Sequence, residues 1–585
     1  MLRRWVLPAA DARQVQSLST ELGIALLAAR VLAHRGLVEP EAARRFLHPS
    51  LEDLLDPFLM RDLDRAAARL HEAIERSEKV LIYGDYDVDG TTAVVLLLTA
   101  IRLAGGAAEY HVPDRLKEGY GMRPEVVETA AARGVRLIIS VDTGIRAAEV
   151  VRRAAELGID VIVTDHHLPE AELPPALAVL NPNRPDCGYP EKNLCGAGVA
   201  FKLAQALLAR CGWPAARLRR LSASLLKLVA IATVADVVPL TGENRVMVKH
   251  GLEGLRDVRN PGLRALLDVG GFTGDVPSAR QVAFRIAPRI NAAGRMDTAR
   301  IVVELFLTAD PARARELAQQ LHDWNSERQE VEARIREVCE RVAVDEAAAA
   351  LVYYAEDWHR GVLGIVANRL VERLNRPVFV LGRNPDDGLA QGSGRSIPAF
   401  HLLDALESMP DLFVRFGGHQ HAAGVTLEAS RVDEFRQRFQ AYAAARLKPE
   451  DFLPRMEIDA VAELRELTEA AIADILSLAP FGHGNEPPVF AALGVEMAAA
   501  PVVMKEKHLR LAARQNGRTL LVKAWNFAER ADEVAAGARV DIAFTLEEDA
   551  YAAARGNPGW CAVLRDVRPA GALATGVRSG SFSAA

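Results

Sequence analysis

Three observations predict an α/β protein of several domains: a parallel-sheet domain, a long connecting helix, a second α/β domain and a C-terminal β-barrel of the OB type. First, 585 residues are too many for a single hydrophobic core. Second, from Lys79 to about Leu240 apolar runs of strand length alternate with helical patterns, as a parallel sheet requires. Third, from about Phe452 the segments shorten into strands separated by turns, the pattern of a small barrel.

The chain opens, over 1–75, with helical apolar patterns such as Leu22 to Leu32 and Ala42 to Leu47, and with no evident chemistry. Its first residues carry two arginines, but the apolar run stops at Pro8 and Asp11, which does not make a secretory signal. The best apolar run, Thr91 to Ile101, is cut by Arg102 and falls short of a membrane span, so no membrane is expected. Cys187, Cys195, Cys211, Cys339 and Cys561 have no zinc spacing and fit free thiols in a reducing cytoplasm. A formal net charge of −6 does not advertise a nucleic-acid binder, although local patches rather than totals do the binding.

The chain is organised around Val80 to Ala93. Val80 to Tyr83 reads as a buried strand, and Asp85, Asp87 and Asp89 follow at every second position. On an extended backbone they share one face. Gly90 then permits a turn, and Thr91-Thr92 open a helix running to Leu103. Crowded carboxylates cannot all stay ionised without a partner, and a hard cation is the obvious one. Ala108 to Val112 is the next strand. Gly134 to Val141 ends in Asp142-Thr143-Gly144, Gly158 to Thr164 ends in Asp165-His166-His167, and Ala176 to Leu180 precedes a Pro/Asn-rich loop. Ligands of open parallel sheets bind at such carboxyl ends. Acids also cap helices after strands, which explains one such site but not an acid followed by two histidines. After a glycine-led helix from Gly196 to Leu208, the helix Leu225 to Thr233 leads into Asp236, an isolated carboxylate in an apolar segment. Burying it alone is costly.

Leu317, Leu321, Trp324, Val331, Ile335, Val338 and Val342 have the spacing of one long amphipathic helix. Beyond it, strands at Ala350 to Tyr354 and Val378 to Leu381 flank a helix from Gly364 to Leu374. Glycine-rich segments then bring Arg395, His419 and His421 together. Glycine lets a backbone approach a ligand, and exposed N–H groups with an arginine suit a phosphate. The last strands are expected at Val495 to Met504, Leu509 to Ala513, Thr519 to Trp525, Val540 to Phe544 and Ala562 to Val567. Lys505, Lys507, His508, Arg510, Lys523, Trp525 and Phe527 mix positive charge with aromatics, as a single-strand groove needs; an ordinary β surface over a buried Trp525 is the bland alternative.

The motifs YGDYDVDG (83–90), VDTG (141–144), TDHH (164–167), ATVADVVPL (232–240), RINAAGRM (289–296), WHRGVLGIVANRL (358–370), SGRSI (393–397), FGGHQHAAG (416–424) and PFGHGNEPPVF (480–490) resemble, in family order, the DHH phosphoesterase superfamily, named for its Asp-His-His triplet. Within it the chain is similar to bacterial exonucleases that degrade single-stranded DNA. The resemblance implies an N-terminal helical segment (1–75), a DHH catalytic domain (76–309), a connecting helix (310–346), a DHH-associated substrate-binding domain (347–448), an OB-fold DNA-binding domain (449–570) and a disordered tail (571–585).

It further implies 5′→3′ hydrolysis of single-stranded DNA to 5′-mononucleotides with two Mn²⁺ or Mg²⁺ ions, in recombination and repair. Asp87 and Asp142 hold one ion, and Asp89, Asp142, His166 and Asp236 the other. Asp85 stands behind as an outer ligand or hydrogen-bond partner, Asp165 orients a neighbour, and His167 contacts the scissile phosphate or protonates the leaving group. Arg115, Arg280, Arg289, Asn291, Arg295, Ser393, Arg395, Gly417, Gly418 and His419 are candidate substrate contacts, with Lys505, Lys507, Lys523 and Trp525 on the barrel. The partners implied are single strands with a free 5′ end, a helicase and a single-strand-binding protein, for a cytoplasmic monomer. A phosphatase of the superfamily would not need the barrel, a pyrophosphatase would carry a histidine nearer Tyr83, and a non-enzymatic replication-fork scaffold would have lost metal ligands that are all present here.

Overall fold

The computed structural model describes residues 3–8, 11–115, 117–342, 348–385 and 387–571. The chain begins with a short strand, β1 (Arg4–Val6), and helices α1 (Ala12–Leu22), α2 (Leu26–His34) and α3 (Pro40–Leu47). The apolar run Leu22 to Leu32 is therefore not one helix: Gly23 takes φ 68° and closes α1 with its N–H on the Ser19 carbonyl.

The first α/β region contains α4 (Leu63–Glu75), β2 (Lys79–Tyr83), α5 (Val88–Leu103), β3 (Ala108–His111), α6 (Pro124–Ala132), β4 (Val135–Val141), α7 (Ala148–Glu156), β5 (Asp160–Thr164) and β6 (Ala178–Leu180). The strands pair in parallel in the order β3-β2-β4-β5-β6. The chain leaves β2 toward β3 on one side and resumes at β4 on the other, so the topological switch point lies between β2 and β4. Tyr83 lies opposite Ser140 and Val141 opposite Thr164, so the carboxyl ends of β2, β4 and β5 are level. α5 is buried on nearly every side and packs against α8 (Gly196–Arg210) and α9 (Ala215–Ala235), which explains its unbroken apolar sequence.

Next come α10 (Gly242–Gly254), α11 (Pro261–Val269), α12 (Ala279–Gln281), a π-helical stretch (Val282–Ile286), α13 (Ala287–Met296), α14 (Arg300–Leu307) and α15 (Pro311–Arg341). The π stretch precedes Pro288, which has no N–H to continue the ordinary ladder. α15 is the expected long helix, but its buried stripe differs from the expected one. Val338 and Val342 are exposed, whereas Asn325, Arg328 and Glu332 are buried, and Arg328 satisfies its charge on Glu332 and Asn325. The expected helix end, 343–346, lies outside the described residues.

The second α/β region has β7 (Leu351–Ala355), α16 (Leu363–Leu374), β8 (Val378–Arg383), β9 (Ala390–Arg395), β10 (Arg415–Gly418) and β11 (Ala422–Leu427), ordered β10-β11-β9-β8-β7. β7 and β8 are parallel and the remaining pairs antiparallel. Helix 432–444 covers one face through Phe435 and Phe439, and α16 with the end of α15 covers β7 and β8 on another.

The last region holds β12 (Arg455–Glu457), β13 (Ala460–Val461), β14 (Val489–Met497), β15 (Val502–Met504), β16 (His508–Gln515), β17 (Arg518–Ala524), β18 (Arg539–Glu548) and β19 (Trp560–Pro569). The order β14-β18-β19-β17-β16 closes on itself through a β14–β16 pairing, a barrel of the OB type. The expected single strand Val495 to Met504 is two. Residues 498–501, ending in Pro501, bulge out opposite β16 between the Met497–Ala513 and Val502–Arg510 pairs.

The chain divides into two compact units, one of residues up to Leu55, Val237–His250 and from Arg455 onward, the other of Asp56–Asp236 and Gly251–Pro454. The N-terminal segment is thus neither purely helical nor a domain of its own. α1 to α3 share a core with the barrel, β1 pairs with β12, and α4 belongs to the other unit. Buried Arg245 ties the first unit's three stretches together, donating to the carbonyls of Phe46 (2.7 Å) and Ala479 (2.9 Å). Residues 572–585 of the expected tail lie outside the described residues. Among the described residues no single helix is long and apolar enough to cross a membrane.

Candidate metal centre

At the carboxyl ends of β2, β4 and β5 the sequence runs out of apolar residues and delivers acids. The expected extended Asp-rich segment is not extended, because α5 starts three residues earlier than Thr91. Asp87 caps it, accepting the Gly90 N–H at 3.0 Å, and Asp89 lies in its first turn. Short acids favour this place, where the helix leaves N–H groups unsatisfied. Gly90 makes no turn; a Cβ there would meet the Cβ of Asp85 at 2.6 Å, so glycine lets the helix close on the loop. Asp142 follows β4 with φ 59°, a left-handed conformation that aspartate tolerates better than most residues.

The acids and histidine converge. Nε2 of His166 lies 3.2 Å from Asp142 Oδ1, 3.7 Å from Asp236 Oδ2 and 3.9 Å from Asp89 Oδ2. Three groups of ligand atoms lie within 4.8 Å of one another: Asp85, Asp87 and Asp142; Asp89, His166 and Asp236; and Asp142, His166 and His167. His166 Nε2, Asp85 Oδ1, Asp142 Oδ1 and Asp236 Oδ2 are buried without a hydrogen-bond partner. Burial, then neighbouring carboxylates, raises the carboxyls of Asp85 and Asp142, and takes Asp236 to about 9. Burial lowers His166, which favours the neutral ring that ligates metals. Buried, unpartnered, acid-rich oxygens with one imidazole are the donor set of a hard divalent cation such as Mn²⁺ or Mg²⁺.

Asp165 is differently employed. Its Oδ1 accepts from His166 N (2.7 Å), His167 N (3.1 Å) and His167 Nδ1 (2.7 Å), and its Oδ2 from Ile145 N (3.0 Å). Burial alone would raise Asp165, but the His167 bond and these N–H groups hold it below the usual range. In return, burial's lowering of His167 is more than offset by Asp165, and its imidazolium is held above the ordinary value. Sequence reasoning gave no role to Tyr120, whose Oη lies 3.3 Å from His167 Nδ1. The only signal was its place in the Gly-Tyr-Gly loop after β3.

Of the expected substrate residues, Asn291 reaches the metal loop, accepting the Val88 N–H at 3.1 Å. Arg115 lies over Tyr86, 5.1 Å from its ring centroid, and near enough to Asp85 to oppose the rise of its carboxyl. Arg295 is half-buried and donates to the Gly361 carbonyl at 3.0 Å; desolvation, then Arg115 and Arg328, pushes it down to about 9. Burial, then Arg115, also lowers Arg395. Arg280 sits on α12, and Arg289 on α13 donates to the Arg285 carbonyl. Arg395 lies opposite Ala422 and Ser393 opposite Gly424, which lies opposite Gly417, so Ser393, Arg395, Gly417 and Gly418 with His419 border one end of the β9-β11-β10 sheet. The first turn of α16 abuts it: a Cβ on Gly364 would meet Arg395 Nη2 at 3.1 Å and Ser393 Oγ at 3.4 Å.

On the barrel, Trp525 is 47% exposed, edge-on to His508 with ring centroids 4.9 Å apart, so it is not a buried packing residue. Lys505 and Lys507 occupy the exposed turn between β15 and β16. Lys523, expected beside them as a phosphate contact, is held in an ion pair with Asp549.

Three family models match the chain: the DHH family N-terminal domain over residues 79–233, the DHHA1 domain over 347–445 and the RecJ OB domain over 458–556. The single-stranded-DNA-specific exonuclease RecJ of Bacillus subtilis is 39% identical over 546 residues, 92% of this chain and 68% of the relative. The Escherichia coli protein of the same name is 37% identical over 478 residues, 79% and 82% of the two chains. Among solved structures, RecJ from Thermus thermophilus in complex with Mn²⁺ superposes with a TM-score of 0.83 at 33% identity, covering 98% of this chain and 81% of that one. The same protein with Mg²⁺ gives 0.78 at 32%, covering 97% and 79%.

Proposed function

Because the chain belongs to the RecJ family of single-stranded-DNA-specific exonucleases, we propose that it degrades single strands from the 5′ end with a pair of Mn²⁺ or Mg²⁺ ions held at the ends of β2, β4 and β5. The observation that carries the pair is the set of orphaned buried atoms, which lie in two separate ligand groups, Asp85/Asp87/Asp142 and Asp89/His166/Asp236, joined by the 3.2 Å approach of Asp142 to His166. Asp89, His166 and Asp236 with Asp142 hold one ion. Asp87 and Asp142 hold the other, and Asp85 joins them more closely than an outer partner would, since its Oδ1 is buried and unbonded. When bound, such a pair supplies a nucleophilic water and compensates charge on the phosphate.

The chain's own groups do the rest. Asp165 fixes His167 through Nδ1, leaving Nε2 to face the substrate, and the raised imidazolium donates a proton to the departing 3′-oxygen. Tyr120 packs against that ring and limits its rotation. Arg115 and Arg295 receive backbone phosphate, an anion that would relieve their mutual repulsion. Arg395, Ser393, the glycine backbone of β10, His419 and the first turn of α16 form a pocket for a terminal phosphate, which gives the reaction its direction. Exposed Trp525 with Lys505 and Lys507 adds a second single-strand surface on the barrel. The free cysteines suit a reducing cytoplasm, and the reading is of a monomer. It implies a helicase that exposes single strands and a single-strand-binding protein that coats them, as in recombination and repair.

The experiment is an assay of 5′- and 3′-labelled single-stranded and duplex DNA with Mn²⁺, Mg²⁺ or EDTA. The expected result is early release of the 5′ label as mononucleotide, only from single strands and only with metal. Early release of the 3′ label would overturn the polarity, and full activity in EDTA would overturn the metal reading.

A further inference from the structure

We infer that the first turn of α8, Cys195-Gly196-Ala197, is a positioning wall for the metal ligands, setting the distance between Asp89 on α5 and Asp142 after β4. The inference rests on the metal reading above and adds the residues that hold the ligands apart.

Asp89 is gripped at both oxygens. Its Oδ2 accepts the Gly196 N–H at 2.6 Å and its Oδ1 the Ala197 N–H at 2.7 Å. These are N–H groups that a helix start leaves free, and each carboxylate oxygen keeps a lone pair for a cation. Gly196 also touches the other side of the centre. A Cβ there would lie 2.6 Å from Asp142 Cβ, 2.8 Å from its Oδ1 and 2.9 Å from its Cα. Gly196 has no positive φ, so the backbone does not demand glycine. Glycine is also a poorer helix former than alanine. The demand is for space against Asp142.

The turn reaches a third ligand-bearing element. Cys195 Sγ lies 3.5 Å from Thr233 Oγ1, one turn before Asp236 on α9, and Thr233 is itself fixed on the Val229 carbonyl at 2.7 Å. One turn of helix thus abuts Asp89 and Asp142 directly and the helix that presents Asp236. The glycine-led helix from Gly196, with no chemistry of its own in the sequence, acquires a task.

Two variants separate the contacts. Gly196→Ala keeps both N–H donors and adds one methyl against Asp142. Ala197→Pro removes one donor to Asp89 and sets its ring Cδ against Asp89 Oδ1, so it displaces that carboxylate; in the first turn of a helix no intrahelical N–H bond is lost. Gly198→Ala, two residues on, is the control, since its nearest contact would be an ordinary 3.4 Å to Leu194. Mn²⁺ affinity and stoichiometry are measured on the purified full-length protein by equilibrium dialysis, with electron paramagnetic resonance reporting spin-coupled pairs.

Both test variants are expected to bind Mn²⁺ about ten- to a hundred-fold more weakly. They should lose the coupled-pair signal, keep a folded circular-dichroism spectrum and a cooperative melt without metal, and recover nuclease activity as Mn²⁺ is raised; the control should match the wild type throughout. Wild-type Mn²⁺ affinity in both test variants would overturn the inference. If Gly196→Ala fails to fold, Ala197→Pro decides alone. A wild type that binds only one ion would sink the paired-metal reading, while the wall would still stand or fall on whether the variants weaken that ion.

Discussion

The unit that carries the parallel sheet holds two crowds of like charge, built in opposite ways. Asp85, Asp87, Asp89, Asp142 and Asp236 are short side chains fixed by strand ends, helix caps and backbone N–H groups. Arg115, Arg295 and Arg395 are long side chains gathered from a loop, α13 and β9, two of them lowered by burial and by each other's neighbourhood. Each crowd is unfavourable alone and becomes favourable around a counter-ion of the right size. Rigid carboxylates suit a small cation whose ligand distances are strict, while reaching guanidiniums suit a phosphate chain that must move one nucleotide at a time. Arg115, close to Asp85, is where the two meet.

The sharpest way to break the comparison is at Asp142, which is grouped with Asp85 and Asp87 and lies 3.2 Å from His166 of the other group. Asp142→Asn should reduce nucleotide release to background while leaving single-strand binding intact or improved. Near-normal turnover at ordinary Mn²⁺ would remove Asp142 as the shared ligand. The crowding also has a pH signature. Asp85, Asp89, Asp142 and Asp236 have folded values raised above the ordinary range, to about 9 for Asp236, by burial first. Between the ordinary carboxyl range and that value the unfolded chain is ionised while the folded chain keeps its protons, so stability is lost as pH rises. Metal-free protein should therefore melt lower at pH 9 than at pH 5, and added Mn²⁺ should raise the melting temperature most at pH 9. Equal Mn²⁺ effects at both ends would mean the acids are not competing with protons for the ion.

His167 comes next. His167→Ala should lower the rate by about 10²- to 10⁴-fold. The loss should shrink on an activated ester such as a nitrophenyl nucleotide, whose leaving group needs no proton; equal losses would assign His167 to phosphate binding. Asp165→Asn withdraws the group that raises His167, so the alkaline fall of the rate should move to lower pH.

On the guanidinium side, Arg395→Ala should slow degradation of 5′-phosphorylated strands about ten-fold, the worth of one charge-assisted hydrogen bond. Strands beginning with a 5′-hydroxyl should be slowed much less, in initial rates on matched oligonucleotides. An equal fractional loss on both would place Arg395 on the backbone at large.

The contrast also explains what the sequence made legible. Carboxylate ligands directly follow the apolar runs that announce their strands, so β2, β4 and β5 and the acids behind them could be read in order. Alternating Asp85, Asp87 and Asp89 suggested an extended strand, and only the cap on Gly90 reveals the helix start. The α8 turn was invisible as a device, because what matters about Gly196 is the absence of a methyl beside Asp142, some fifty residues earlier in the chain. The sharing of one core by α1 to α3 and the barrel was equally hidden, since an apolar face shows that it will be covered but not by what. For the same reason, cutting the chain near Leu447 would strip that core, and the barrel is better tested by single substitutions.

Those substitutions carry the smallest effects and test whether exposed charge alone makes a phosphate contact. Trp525→Ala should weaken binding of long single strands by about 1–3 kcal/mol, through loss of base stacking. Lys505, Lys507 and Lys523 look alike in the sequence, but the structure separates them. The first two project from the turn between β15 and β16, and the third is neutralised by Asp549. A lysine that meets a phosphate releases a counter-ion, and each such contact contributes about 0.7 to the slope of log affinity against log salt on a single strand. Lys505→Ala and Lys507→Ala should each flatten that slope by about this amount. Lys523→Ala should leave it unchanged, and Asp549→Ala, by freeing the ammonium, should steepen it. Should Lys523→Ala flatten the slope as much as the turn lysines do, the ion pair must open on binding, and the DNA-facing side of the barrel would extend across β17.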